Sequence, residues 1–212
     1  VPHANTATAA TGGRARMSLA TPLGWGAALS VLLLAGCASP GAPDATRSPR
    51  LALAPAALRC EVAVQQRLTV EVPGRPAQQL ESLLEVDAEA VRLAFFVMGQ
   101  GMGTMAWDGL QWDTQLSRHW PAQLTPEQVL SDLQLAFWPT PVVQQAVAAM
   151  GAPWQLESSA TGRRLLRDGK EYVRVQFVES SAVEIVYPQG PFTLRVESPG
   201  GPQLCATAQE PV

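Results

Sequence analysis

The chain predicts a mainly β protein of the α+β class: a curled antiparallel sheet, or incomplete β-barrel, carrying a helical lid. Three observations predict it. Apolar and polar residues alternate with period 2 through a series of short runs separated by Gly, Pro and Asp, which is the signature of half-buried strands. The period changes to 3.6 in one place only, between residues 125 and 150. Finally, 212 residues at 47% apolar and 16% charged composition supply a substantial core and exclude wholesale disorder. No internal repeat suggests a solenoid or propeller.

Residues 1–36 read as an address. Arg14 and Arg16 precede an apolar stretch from Gly26 to Cys37 that is too short to cross ~30 Å of hydrocarbon. Ala35 and Gly36 offer the small side chains a signal peptidase requires. Leu34-Ala35-Gly36-Cys37 resembles the lipobox of bacterial lipoproteins, in which the Cys thiol is diacylated and becomes the first residue of the mature chain. No core helix could continue past it, because Pro40, Gly41 and Pro43 follow. Counted from Met17 the leader has neither Arg nor Lys, so the start is either Val1, through an alternative start codon, or Met17 with an upstream extension. Ala38-Ser39 lacks the Asp that retains enterobacterial lipoproteins at the inner membrane, so the resemblance implies anchoring to the outer membrane through Cys37. Residues 37–57 are expected to be a flexible tether, 58–205 the folded domain and 206–212 a tail. Without Arg14 and Arg16 the chain holds 13 basic against 18 acidic side chains, a net charge of −5 that argues against a nucleic-acid partner.

Alternation is unbroken from Cys60 to Val72, with Val62, Val64, Gln66, Leu68 and Val70 on one face. After a turn at Pro73-Gly74-Arg75-Pro76, Leu80, Ser82, Leu84 and Val86 resume the inward face. Val91 to Met98 is apolar on both faces, which predicts a central or doubly covered strand. Gly99-Gln-Gly-Met-Gly103 is expected to bend the chain before a strand from Thr104 to Asp108, and Gln111 to Leu116 forms a further short strand. Thr125-Pro126-Glu127-Gln128 carries the residues of a capping box, and Val129, Leu130, Leu133 and Phe137 form the first helical stripe. Thr140 is expected to cap a second helix with Val142, Val143, Ala146, Val147 and Met150 on its stripe, ended by Gly151. The link Trp138-Pro139-Thr140-Pro141 cannot be helical throughout, so the pair reads as a hinged lid. Strand signals return at 154–157, 163–167, 171–179, 182–187 and 192–198.

This order of elements, with Leu124-Thr-Pro-Glu-Gln-Val-Leu130, Phe137-Trp-Pro-Thr-Pro-Val-Val143 and the run Phe95 to Asp108, resembles the LolA/LolB superfamily of lipoprotein carriers and receptors. Residues 58–205 are most similar to a LolB-like lipoprotein family often encoded beside aryl-polyene and fatty-acid-type synthesis genes. The resemblance implies an incomplete barrel whose apolar cavity shelters an acyl chain. LolB also carries an exposed apolar residue on a protruding loop; among the early hairpins here only Met102 could serve as that membrane contact.

If the lid covers a cavity, Leu133, Phe137, Trp138, Val143 and Val147 should face Leu68, Val70, Leu84, Phe95 and Val97 across it. Cys60 and Cys205 bracket the domain, and in an oxidising periplasm an even pair is more often bridged than free, so a disulfide is expected. Two His and three Cys leave little for a metal site, and no cofactor or enzymatic activity is expected. His119 with Ser117 and Asp113 lacks the geometry of a catalytic set, and Gly99 to Gly103 leads into a strand rather than the helix a phosphate loop needs. Arg163, Arg164, Arg167, Lys170 and Arg174 read as a solvated strand edge, and the Trp residues as core. The expected function is an outer-membrane-anchored, monomeric lipoprotein binding the acyl chains of a lipid, lipoprotein or polyene lipid. The alternative is a non-catalytic interaction lipoprotein that recruits an envelope synthesis or export partner.

Overall fold

A computed structural model describes residues 50–121, 124–178, 180–190, 192–199, 201 and 203–205, all within the compact unit Thr46–Val212. The expectations for the leader, for Cys37 and for the tail lie outside the described residues. The strands β1 (Val62–Glu71), β2 (Gln78–Val86), β3 (Val91–Val97), β4 (Gln100–Trp107) and β5 (Trp112–Leu116) form a meander. Helices α1 (Pro126–Phe137) and α2 (Thr140–Met150) follow. A second meander consists of β6 (Trp154–Ser159), β7 (Gly162–Arg167), β8 (Lys170–Val178), β9 (Ala182–Val186) and β10 (Thr193–Glu197). Together they make one curled, open antiparallel sheet in the order β5-β4-β3-β2-β1-β10-β9-β8-β7-β6.

That order dictates where the helices go. The two meanders join where β10 pairs with β1, at Leu68 with Val196 and Val70 with Leu194. The chain therefore leaves the sheet at the β5 edge and must re-enter at the β6 edge, so α1 and α2 cross one face. The period-2 pattern supplies that face: Leu68, Leu84, Val86, Leu93 and Phe95 are buried in one core cluster with helix residues, while Glu81, Glu85 and Arg92 between them are exposed. Among the described residues no helix is long and apolar enough to cross a membrane.

Two strand expectations need correction. β3 is third from an edge rather than central; its outward Ala94 and Phe96 are half-buried, and Arg92 faces solvent. The segment from Gly99 is not a bend preceding β4. The turn is confined to Met98 and Gly99, whose φ of 51° and 75° are those of a two-residue hairpin, and strand begins at Gln100. Gly103 lies inside β4, where it pairs with Phe95 and Leu116; a Cβ there would stand 2.8 Å from Leu116 Cδ2. That glycine answers a close approach between strands, not a change of direction.

The helices also differ from a hinged lid. Every residue from Leu130 to Trp138 is buried, including Ser131, Asp132 and Gln134. Residues 50–57, read as part of a tether, are packed on α1 instead. Leu51 is buried and its amide donates to Ser131 Oγ (3.1 Å). Leu53 exchanges two hydrogen bonds with the Gln134 side chain, both 2.9 Å. The Leu53 carbonyl accepts a third, from Trp107 Nε1 of β4. A polar residue on a helical stripe looks solvent-facing when the segment that covers it lies eighty positions away.

The corner between the helices is fixed as well. Trp138 is 0% exposed. Arg163 of β7 donates to the Leu135 carbonyl (2.6 Å) and to Thr140 Oγ1 (3.1 Å), so the guanidinium caps the C-terminal end of α1. Pro139, not Thr140, is the N-cap of α2. Arg163 is thus no member of a solvated edge, and burial lowers its pKa to about 10. Two other cations near it have carboxylate neighbours: Arg164 pairs with Glu157 and Glu171, and Arg174 with Glu171. Thr125 does cap α1, accepting from the Gln128 amide at 3.3 Å, but the Gln128 side chain is turned away to other partners, so the reciprocal half of the capping box is not made. Cys60, ahead of β1, and Cys205, after β10, form a disulfide with a Cα–Cα separation of 5.9 Å.

Candidate functional site, an apolar cavity between α1 and the sheet

Because α1 crosses the seam where β1 meets β10, its inward stripe stands over residues from both meanders. A narrow cavity of about 80 Å³ lies between them, with almost wholly apolar walls. Leu68, Val70, Leu80, Leu93 and Phe95 come from the first meander, Ile185, Leu194 and Val196 from the second, and Val129, Leu133 and Phe137 from α1. Trp120, Leu124 and Phe192 complete the wall from loops at one end of the strands. The lining residues there, with Val70 and Leu80, are only half-buried, whereas Leu93, Leu133, Ile185 and Val196 are buried, so the cavity runs inward from that end. Trp120 sets its rim by packing edge-on against Phe95, with ring centroids 5.1 Å apart.

Five of the ten residues expected to line a cavity do so: Leu68, Val70, Phe95, Leu133 and Phe137. The other five do not. Leu84 pairs with Val64 one step further in than the lining pair Gln66 and Ser82, and is packed core. Val97 pairs with Gln100 at the hairpin turn and is only half-buried. Trp138 lies at the buried helix corner, and Val143 and Val147 belong to α2, which packs toward β6. An apolar stripe on α2 reports that the helix is covered, not what covers it. Met102 is likewise misplaced as an exposed tip. It falls at the register shift opposite Phe95 and Phe96 and packs against the core. The exposed apolar tips are Met98 at 97% and Leu110 at 86%.

The sheet residues of the lining that were missed from sequence fall into two kinds. Leu80, Gln66 and Ser82 lie on inward faces already legible as alternation, and Leu93 in a run apolar on both faces; only the position of α1 singles them out. Ile185, Phe192, Leu194 and Val196 become neighbours of Leu68 through the β1–β10 pairing, which no local signal announces.

One wall is polar. Asp132 of α1 lines the cavity and accepts hydrogen bonds from Tyr187, just beyond β9, and from Gln128 Nε2 at 2.9 Å. Gln128 Nε2 also reaches the Tyr187 hydroxyl. Burial pushes the Asp132 carboxyl up to about 7, against the lowering effect of the two hydrogen bonds. Burial, with Asp132 beside it, moves the Tyr187 phenol upward too.

The sign of the resulting pH dependence follows. The folded chain holds the Asp132 proton more tightly than the unfolded chain, whose carboxyl titrates near an ordinary ~4. The stability tied to that proton is complete below about pH 4 and is lost as pH rises through about 7. Asp132→Asn keeps an oxygen for Tyr187 and abolishes the titration. It should gain on the native protein, by on the order of a few kcal/mol, between pH 5 and pH 8. Urea midpoints of both proteins at the two pH values check this; parallel changes would remove Asp132 from the account.

The profile of a protein family described as "Protein of unknown function (DUF3261)" matches residues 63–199, from the second residue of β1 to just beyond β10. No curated protein matches the chain. Among solved structures, the crystal structure of a LolA superfamily protein from Nitrosomonas europaea is similar over 65% of this chain and 83% of that one, at 8% identity and a TM-score of 0.32.

Proposed function

The chain belongs to the DUF3261 family, and from the site it carries we propose that it is a non-catalytic acyl-chain-binding lipoprotein. It holds the chain of a lipid, lipoprotein or polyene lipid between α1 and the sheet, anchored as a monomer to the periplasmic face of the outer membrane through a lipidated Cys37. The cavity supports this reading. About 80 Å³ of space stays open between Leu133, Phe137 and the β1–β10 seam, room for part of one acyl chain, where interiors normally pack to crystal-like density. Apolar walls lead inward from a rim of Trp120, Leu124 and Phe192, the shape suited to a threadlike apolar guest. Burial of such a guest contributes about 0.8 kcal/mol per CH₂. The alternative reading, recruitment of an envelope partner, draws on the outer edges of β5 and β6, which pair with no strand among the described residues.

The test is binding by a Cys37→Ser chain purified without detergent. Lipid should co-purify with it, and the neutral fluorophore N-phenyl-1-naphthylamine should bind and be displaced by long-chain lipids. Phe137→Ala removes one wall of an existing space. It should cost less than the ~3 to 5 kcal/mol of the same change in a tight core while weakening fluorophore binding. Full-size destabilisation, with no co-purifying lipid and no fluorophore binding by the native domain, would favour the interaction lipoprotein.

A further inference from the structure

The inner end of the cavity carries a feature that a receptor for plain hydrocarbon does not need. Gln66 and Ser82 face one another across β1 and β2, inward of the Leu68–Leu80 pair and immediately outward of packed Val64 and Leu84. Both line the cavity, and both are buried, Gln66 at 3% exposure and Ser82 at 1%. The side-chain hydrogen bond between them, from Ser82 Oγ to Gln66 Oε1, is 3.5 Å, at the outer limit for such a bond. Gln66 Nε2 has no hydrogen-bond partner among the described residues. A buried amide donor left unpaired carries its full desolvation penalty, and an apolar residue would avoid it. The register explains why the amide belongs to the cavity. With Gln66 one pair inward of Leu68, its side chain lies on the same face as the apolar lining and near the point where that lining ends.

We propose, building on the acyl-chain reading, that Gln66 with Ser82 forms a polar subsite. It selects a guest whose inner end bears an uncharged oxygen function, a carbonyl or a hydroxyl, which accepts from Gln66 Nε2. Charge excludes the nearest relative of that guest. The lining holds no Lys, Arg or His, and it does hold Asp132, so a carboxylate driven to the inner end would be buried with no counter-charge. A free fatty acid therefore enters methyl end first and leaves its carboxylate at the rim. A chain ending in a ketone, a neutral ester or an alcohol enters with its oxygen first.

The experiment is displacement of N-phenyl-1-naphthylamine from the full chain carrying Cys37→Ser by n-tridecane, tridecan-2-one, tridecan-1-ol and tridecanoate. Each is measured for the parent protein and for Gln66→Leu, with Gln66→Met as a second variant should the first unfold. For the ketone or the alcohol, loss of the amide should weaken displacement about tenfold, the ratio expected of one buried hydrogen bond. Whichever of the two responds identifies the oxygen function. Tridecane and tridecanoate should stay within about twofold in the variant, since neither is held through the amide. Equal changes for all four compounds, or no change for both ketone and alcohol, would overturn the subsite while leaving the acyl-chain reading intact. Failure of every compound, tridecane included, to displace the dye from the parent protein would overturn that reading as well.

Discussion

Replacing Cys60 and Cys205 together with Ala should lower the stability of the domain by about 4 to 5 kcal/mol, which is the loop-closure entropy of a cross-link between residues 145 positions apart. The bridge joins the approach to β1 with the exit from β10, the two strands whose pairing unites the meanders. It therefore holds together the seam over which the cavity forms. Reduction of the native protein should have the same effect as the double substitution. Urea midpoints with and without reductant measure it. Coincident midpoints, or two free thiols titrating in the native non-reduced protein, would show that the bridge is not present in solution.

The second large effect is expected at Gln134. Its side chain is 0% exposed and is spent entirely on the backbone of Leu53, accepting from the amide and donating to the carbonyl. Gln134→Leu is nearly isosteric, yet it leaves the Leu53 amide unpaired and the carbonyl with only the Trp107 indole. Unpaired buried backbone groups cost about 1 to 3 kcal/mol each, so a loss of about 2 to 4 kcal/mol is expected. Amide exchange separates this from general damage. Leu51 and Leu53 should lose protection most, and β2 and β3 should keep theirs up to the new global stability. Uniform loss across the domain would mean that residues 50–57 are not an independent strap on α1.

Both effects concern contacts between remote parts of the chain, and they mark the limit of what was legible beforehand. The Cys pair was visible because cysteines are rare and their chemistry is specific. The Gln134–Leu53 clamp was not, because Gln on a helix reads as solvated until something covers it. The same holds for Arg163, which looked like one of several surface cations and is instead a buried cap on α1. The site divides in the same manner. Leu68 and Val70 follow from alternation, Leu133 and Phe137 from one helical stripe, and Phe95 from a strand run that is apolar on both faces. Asp132 and Gln66 were hidden by their polarity, and Trp120 by its place in a loop.

From the sequence alone came the elements and their order: eight to ten short strands, a Pro-interrupted pair of helices, and the turn at Pro73-Gly74. These depend on the intrinsic φ of Gly and Pro and on the two periodicities, which act between residues a few positions apart. The tertiary structure decided which strands are neighbours, and through that everything about the cavity. Pairing of β10 with β1 brings Val196 to Leu68 and Leu194 to Val70 across more than a hundred residues. It forces the helices across one face, and residues 50–57 then cover the outer side of α1 from Leu130 onward. It also leaves the Gln66 amide at the inner end of an apolar space. Period-2 alternation states which face of a strand is turned inward but carries no information about what stands opposite, because pairing partners are chosen by packing over the whole chain.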